Sequence, residues 1–473
     1  MPILRQGFIA WDDDVNFLEN PDFRGLRWAN LWWAWTTFHL EVYQPISWLS
    51  LELQYVLYGL NPAGYHLTSL AWHVFNAVLL YGLIVELLER VTTDPDHAQR
   101  WSIRSAAAIA AALWGTHPLR VEVVAWASSQ GYLPCACFLL LALRAYLHAH
   151  PAGGSTQKGW FTLASILAIA SMLSKAPGII VPALFVILDT FPLGRLPTDF
   201  RAWANRQFRA VWWEKLPLFV CSFVVMVLAV KARGHEEGLL SGGLPELSRR
   251  LAKSAYSIWF YPLTTLLPVR ISPYYPLPKL LSVLQPLYAV SLILAVIVTV
   301  WAIRAWPRWT GLATIWFSYL AAVFPFLATT NLGYNLLADR YSYIPLLPWT
   351  ILLAWVLARL LWLDGKTRLA TISLCSFVGL ILIGLSWQQC GFWGDSERLF
   401  RRAFELGCQN DPLILGNLGA DRLERGDLAG AERLFGLSLQ VAPNDHASHF
   451  NLGLVTAQAG RTDEAIEHFR AAV

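Results

Sequence analysis

Ten apolar runs constrain this chain more than any other feature: 66–88, 104–117, 131–149, 160–173, 177–193, 215–232, 282–303, 309–328, 343–362 and 369–387. About 20 apolar residues wound into a helix cross the hydrocarbon core of a bilayer. Lipid offers no partner to a free N–H or C=O, so such segments must pair their backbones internally as helices. Charged residues are 14% of the chain and apolar ones 56%, against about 25% charged in soluble domains. The expectation is an integral membrane protein. An eleventh apolar segment, 254–269, is interrupted by Pro262 and bounded by Arg249, Arg250, Lys253 and Arg270. It reads as interfacial or re-entrant.

Loop charge sets the orientation. With 254–269 left out, the loops 89–104, 144–158, 194–215, 304–308 and 359–368 carry fifteen Lys or Arg, and the short loops of the other side carry Arg120, Lys175 and Arg340. Positive loops stay in the cytoplasm. The expectation is therefore that residues 1–60, the loops around His117, Lys175 and Arg340, and everything after 388 share the non-cytoplasmic side. Many of the 24 tryptophans, Trp160, Trp212, Trp306 and Trp387 among them, fall where apolar runs end, the place amphipathic rings favour. A formal charge of +4 with no Lys/Arg stripe excludes nucleic acid as a partner. Six scattered cysteines make no disulfide framework.

The tail repeats itself. Asn417-Leu418-Gly419 returns as Asn451-Leu452-Gly453, Gly426 as Gly460, Ala431 as Ala465 and Phe435 as Phe469, always 34 residues later. That period, with small residues where paired helices cross, is the tetratricopeptide (TPR) signature. Glu397-Arg398-Leu399-Phe400 echoes Glu432-Arg433-Leu434-Phe435 and adds a half-repeat next to the membrane. The predicted domains are 1–60, an outward first loop; 61–388, the membrane domain; and 389–473, the repeats.

Four constellations can carry chemistry. Trp11-Asp12-Asp13-Asp14 crowds three carboxylates together, which raises at least one pKa unless a cation or metal offsets the repulsion. A solvated turn is the plain reading; a general base or metal ligand is the functional one. His117 with Glu122 five residues on is either a helix-ending His-Pro or a supporting acid. Lys175, in the tight turn Ser174-Lys175-Ala176-Pro177, is either a snorkelling anchor or a phosphate ligand. Asp339-Arg340-Tyr341, with Tyr343 following, is either a local ion pair or a bidentate phosphate contact beside ligand-lining tyrosines.

Taken in order, Trp-Asp-Asp-Asp, Gly64-Tyr65-His66-Leu67-Thr68, His117-Pro118 with Glu122 and Ala125-Trp126, Ser174-Lys175, Ala338-Asp339-Arg340-Tyr341-Ser342-Tyr343-Ile344-Pro345 and the repeats resemble the TMTC family, of the GT-C glycosyltransferase superfamily. The resemblance covers essentially the whole chain. It implies an all-α fold: a polytopic membrane domain of about ten spans here, with a further spanning helix before the acidic run, followed by an α-solenoid of TPR repeats that extends beyond those present.

It also implies transfer of a sugar, typically mannose, from a polyprenyl-phosphate donor to Ser or Thr of a protein acceptor held by the repeats. The reaction is expected to invert the anomeric centre, on the periplasmic side of a bacterial inner membrane or the lumenal side of the ER. Asp12, Asp13 and Glu122 are its expected catalytic residues. Lys175, Arg340, His117, Tyr341 and Tyr343 are expected on the donor phosphate, with Asp14 and Asp339 supporting. No cofactor is implied with certainty, and a divalent metal is left open. Gln44, Gln130 and Tyr132 depart from the family's pattern, and the alternative reading is a catalytically degenerate scaffold that recruits envelope proteins.

Overall fold

The computed structural model describes residues 2–152, 154–233, 243–327 and 335–473. Its helices are α1 (Trp28–Thr36), α2 (Pro45–Tyr58), α3 (Pro62–Val91), α4 (His97–Gly115), α5 (Val121–Ala125), α6 (Tyr132–Ala149), α7 (Lys158–Ser174), α8 (Val181–Thr190), α9 (Arg209–Trp213) and α10 (Leu216–Ala232). They continue as α11 (Gly243–Leu266), α12 (Pro286–Ala305), α13 (Thr310–Val323), α14 (Leu347–Trp362), α15 (Gly365–Phe392), α16 (Ser396–Glu405), α17 (Pro412–Glu424), α18 (Leu428–Val441), α19 (His446–Gln458) and α20 (Thr462–Ala471). The fold is all-α. The strands among the described residues form one antiparallel clip, β1 (Tyr275–Pro276) on β2 (Asn335–Leu337), with Tyr275 opposite Leu337.

All ten apolar runs are largely helical, but they are not equivalent. Residue 328, which ends the 309–328 run, and 234–242 of the long loop lie outside the described residues. Pro62–Val91, Ala127–Ala149, Pro286–Ala305 and Gly365–Phe392 are each long and apolar enough to cross a membrane, and Arg206–Trp213 with Leu216–Ala232 makes a fifth if that pair, bent by 49°, is one span. Lys158–Ser174, Ala176–Thr190, Thr310–Phe326 and Leu347–Trp362 are apolar but shorter. Proline explains much of the shortening: Pro177, Pro325 and Pro348 stand at helix ends, where a missing N–H is harmless. α4 meets neither description, since Gln99, Arg100 and Arg104 occupy its first half and alanines its second.

The outer faces are apolar. Only 11% of the apolar window of α15 and 22% of that of α12 is buried, and Leu374, Phe377, Leu380, Ile293, Val296 and Ile297 stand exposed. Faces this apolar are stable against hydrocarbon rather than water. The chain is a membrane protein. Inside, α3, α4, α6, α8 and α14 enclose the main core, in which Leu80, Ala107, Leu140, Tyr146 and Phe185 are fully buried. α11, placed by sequence as interfacial or re-entrant, is one strongly two-faced helix and is not among the helices apolar enough to span.

The tail forms helix pairs in the repeat period. A Cβ on Gly419 would lie 2.7 Å from the Phe435 ring, and one on Gly453 would lie 2.6 Å from the Phe469 ring. The same small-on-aromatic crossing thus occurs twice, 34 residues apart. α15 ends at Phe392 and α16 starts at Ser396. Asp395 caps α16 through the Arg398 N–H, so the chain turns there and folds back over the first loop.

Candidate active site

The loops at one end of the membrane helices, which the sequence scatters over more than 300 residues, converge on Arg340. β1 pairs with β2 and fixes the approach of the Asp339–Ser342 turn that carries it. Glu122, on the one-turn helix α5, meets that turn with both oxygens: one accepts from the Arg340 N–H at 2.8 Å, and the other from its guanidinium. The guanidinium lies between Trp126 and Tyr341, 5.1 and 4.9 Å from their ring centres. Burial opposes its charge, yet the oxygens of Tyr341 and Glu122 outweigh that and hold its pKa well above the usual value. Arg340 is a fixed cation.

Lys175 arrives by a sharp reversal. α7 stops at Ser174, Lys175 is extended, and a turn over Ala176–Ile180 sends the chain back into α8. Gly178 makes the turn possible: a Cβ there would sit 2.4 Å from the backbone of Ser171. The Lys175 ammonium donates to Gln44 at 2.9 Å and lies 5.0 Å above the Tyr132 ring. Burial first, and then the positive Arg340, push its pKa down to about 8.

The acidic run is divided among three jobs. Asp13 is fully buried and accepts from the Ile9 N–H at 3.1 Å, the Ser128 N–H at 2.9 Å and the Ser128 hydroxyl at 2.5 Å. It staples the first loop to the turn before α6. Asp14 is partly exposed and accepts from the Val15 N–H. Asp12 is half-buried; burial raises its pKa to about 6 against the pull of Arg340 and Lys175. Beside it, Trp11 stacks on Phe400 of α16 at 5.5 Å and touches Trp126 and Tyr274. The repeats therefore lean on the residue that precedes Asp12.

Of the other expected site residues, Tyr343 and His117 are tied into the surrounding structure, while Asp339 and Tyr341 flank Arg340. Tyr343 is buried in the core, where its hydroxyl meets His73 Nδ1 at 2.9 Å and Asn76 at 3.2 Å. His117 accepts from the Leu119 N–H with Nδ1, so its Nε2–H donates to the Thr265 carbonyl. Burial, and secondarily Arg120, lower its pKa to about 3. It is a neutral structural histidine and offers a phosphate no charge. Asp339 is buried and accepts from the Tyr275 hydroxyl at 2.9 Å; burial and then Glu122 push its pKa well up. Tyr341 stacks on Phe326 at 4.8 Å beside the guanidinium. Among the described residues no group of three or more His, Cys, Asp or Glu gathers as for a metal ion.

Sequence reasoning missed three members. Gln44 holds Lys175, and Ser128 holds Asp13. Arg120, also buried, donates to Ser342 at 3.1 Å and packs its cation against Trp114, 5.3 Å away. Burial lowers the Arg120 pKa to about 10. The sequence signal for Arg120 was its place in His117-Pro118-Leu119-Arg120-Val121-Glu122, two residues before the acid that binds Arg340.

No family model matches the chain, and no solved structure matches it. Among curated proteins, the human protein O-mannosyl-transferase TMTC4 is 22% identical over 91% of this chain and 63% of its own length. Human TMTC1 is 24% identical over 99% of this chain and 53% of its own. Mouse TMTC2 is 30% identical over a third of the chain. This chain's homologues are TMTC protein O-mannosyl-transferases. It spans somewhat under two thirds of TMTC4 and about half of TMTC1.

Proposed function

We propose that this protein is an inverting glycosyltransferase that moves a sugar, mannose, from a polyprenyl-phosphate donor to Ser or Thr hydroxyls of a protein acceptor. One observation carries the reading: Asp12, half-buried and with its pKa raised to about 6 as is that of the bonded Asp13, lies within the pull of two half-buried cations, Arg340 and Lys175. The fixed positive charge of Arg340 lowers the pKa of Lys175, an arrangement that an incoming anion relieves.

In this reaction Asp12 takes the acceptor hydroxyl's proton as the oxygen attacks the anomeric carbon. The bond from that carbon to the donor phosphate breaks on the opposite face, and the phosphate leaves with the electron pair. Arg340 and Lys175, placed in advance at its oxygens, stabilise the developing charge. A single displacement inverts the centre. Glu122 orients Arg340, Gln44 orients Lys175, and Asp13 holds the loop that presents Asp12.

The reaction end faces the periplasm or lumen, with 1–60 as its first loop, 61–388 as the membrane domain and 389–473 as repeats that present the acceptor. The test is transfer of radiolabelled mannose from polyprenyl-phosphate-mannose to a Ser/Thr peptide by the full chain in nanodiscs. Wild type transfers and Asp12→Asn does not. Undiminished transfer by Asp12→Asn overturns the assigned base, and wild type that engages partners without any transfer favours the scaffold reading.

A further inference from the structure

An apolar groove of about 450 Å³ opens between α3, α6, α8, α13 and α14, within the range of roughly 300–1,000 Å³ that holds small ligands. None of the residues given a role in the proposed reaction lines it. On α3 and α8 it is lined toward the ends remote from Arg340, while on α13 and α14 it reaches Ala322 and Ile344, toward the site end. On α3 the site end is marked by Asn76, bonded to Tyr343, whereas the groove is lined by Leu83 to Val91. Asn76 to Val91 is about 22 Å of helix at 1.5 Å per residue. On α13 the groove runs from Thr310 to Ala322, about 18 Å on the same measure.

The lining is leucine and other hydrocarbon almost throughout, and the polar mouth holds Arg308 and Trp309, both exposed. Nearby, at the same remote end, the fully buried pair Lys215 and Asp189 meets at 2.5 Å and fixes the last turn of α8 that forms one wall. An elongated, mostly hydrocarbon slot whose one cation, Arg308, stands beside Trp309 at one end matches an acyl chain whose anionic headgroup sits at the membrane surface.

We propose that this groove binds an anionic phospholipid of the leaflet opposite the reaction end, its acyl chain along α13 and its phosphate on Arg308. The cation at the remote mouth favours this occupant over a donor, because a donor's phosphate must reach Arg340 and Lys175 at the other end of the groove. A lipid so held fills the gap between α13 and α14 and ties the Asp339–Ser342 turn's supporting helix, α14, to the rest of the bundle.

The experiment is native mass spectrometry of the delipidated full chain with equal dioleoyl-phosphatidylglycerol or dioleoyl-phosphatidylcholine. Wild type should retain one phosphatidylglycerol about fivefold better than phosphatidylcholine, the increment of one cation at an anionic headgroup. Arg308→Gln should bring that ratio to about one while keeping the adduct. Leu143→Trp and, separately, Leu312→Trp should fill the slot and abolish both adducts. If either filler loses helical content by circular dichroism, the other decides, and if both do, the Arg308→Gln ratio decides. Equal retention of the two lipids by wild type, undiminished adducts in a folded filler variant, or displacement of phosphatidylglycerol by polyprenyl phosphate each overturns the assignment.

Discussion

The pH dependence of transfer tests the charges at the site. In the proposed reaction Asp12 must be ionised to accept a proton, and its pKa lies near 6 because burial penalises the anion more than Arg340 and Lys175 favour it. Lys175 must be protonated for its proposed hold on the donor phosphate, and burial with Arg340 brings its pKa to about 8. A carboxylate gains competence as pH rises and an ammonium loses it, so the window lies between the two values. At pH 7 each group is one unit inside its pKa, so about 90% of each, and about 80% of both together, is in the working form. At pH 5 and at pH 9 the competent fraction falls to about a tenth. The initial rate of mannose transfer by the full chain in nanodiscs, at saturating donor, should trace this bell. Asp12→Asn should lose about 10²–10⁴-fold, the range for removing a general base. Lys175→Gln should lose about 10²–10³-fold, as for a lost charge stabiliser, and the rate that remains should lack the alkaline limb. A wild-type profile flat from pH 5 to pH 9, or an acid limb that survives in Asp12→Asn, refutes the reasoning.

Other outcomes follow from the same contacts. Asp13→Asn should keep the acid limb near pH 6, because Asp13 is occupied as a staple and not as the base; a shifted limb would transfer the base role to it. Ser128→Ala should lower stability by about 1.5–3 kcal/mol, the worth of a hydrogen bond to a charged group, measured by thermal unfolding in detergent. Glu122→Ala strands a buried guanidinium and should cost about 3–5 kcal/mol in the same assay, and a loss under about 1 kcal/mol would disprove the pair's structural part. In the tail, Gly453→Leu forces side-chain atoms into Phe469 and should cost about 1–3 kcal/mol, seen as faster proteolysis of the repeats, whereas Gly436→Ala meets open space and should change nothing.

The parts of this architecture that sequence disclosed are those governed by local repetition. A period of 34 needs only Gly419, Phe435, Gly453 and Phe469 to be visible, and each recurs in the contact that explains it. Apolar runs announced helices for the same reason. Their status as full spans was less legible, since crossing length depends on where Pro177, Pro325 and Pro348 stop the helix. The division of labour inside Asp12-Asp13-Asp14 was not legible at all. What occupies Asp13 is Ser128, 115 positions away, and nothing in three identical neighbours says which one will find it. Tyr343 and His117 were misplaced for the converse reason, because polar residues in a motif read as site residues until their partners, Asn76 and the Thr265 carbonyl, are known.

Arg340 and Lys175 repel each other in a half-dry setting, and such an arrangement persists only if each cation is held by something other than the ligand. Glu122 does this for Arg340 and Gln44 for Lys175. Gln44 is neutral, so it fixes the ammonium's position without discharging it. A carboxylate at position 44 would neutralise Lys175 and weaken its proposed hold on the donor phosphate. Gln44→Glu should therefore raise the pKa of the alkaline limb above 8 while raising the KM for the donor. A lowered KM would show that Lys175 serves structure rather than substrate.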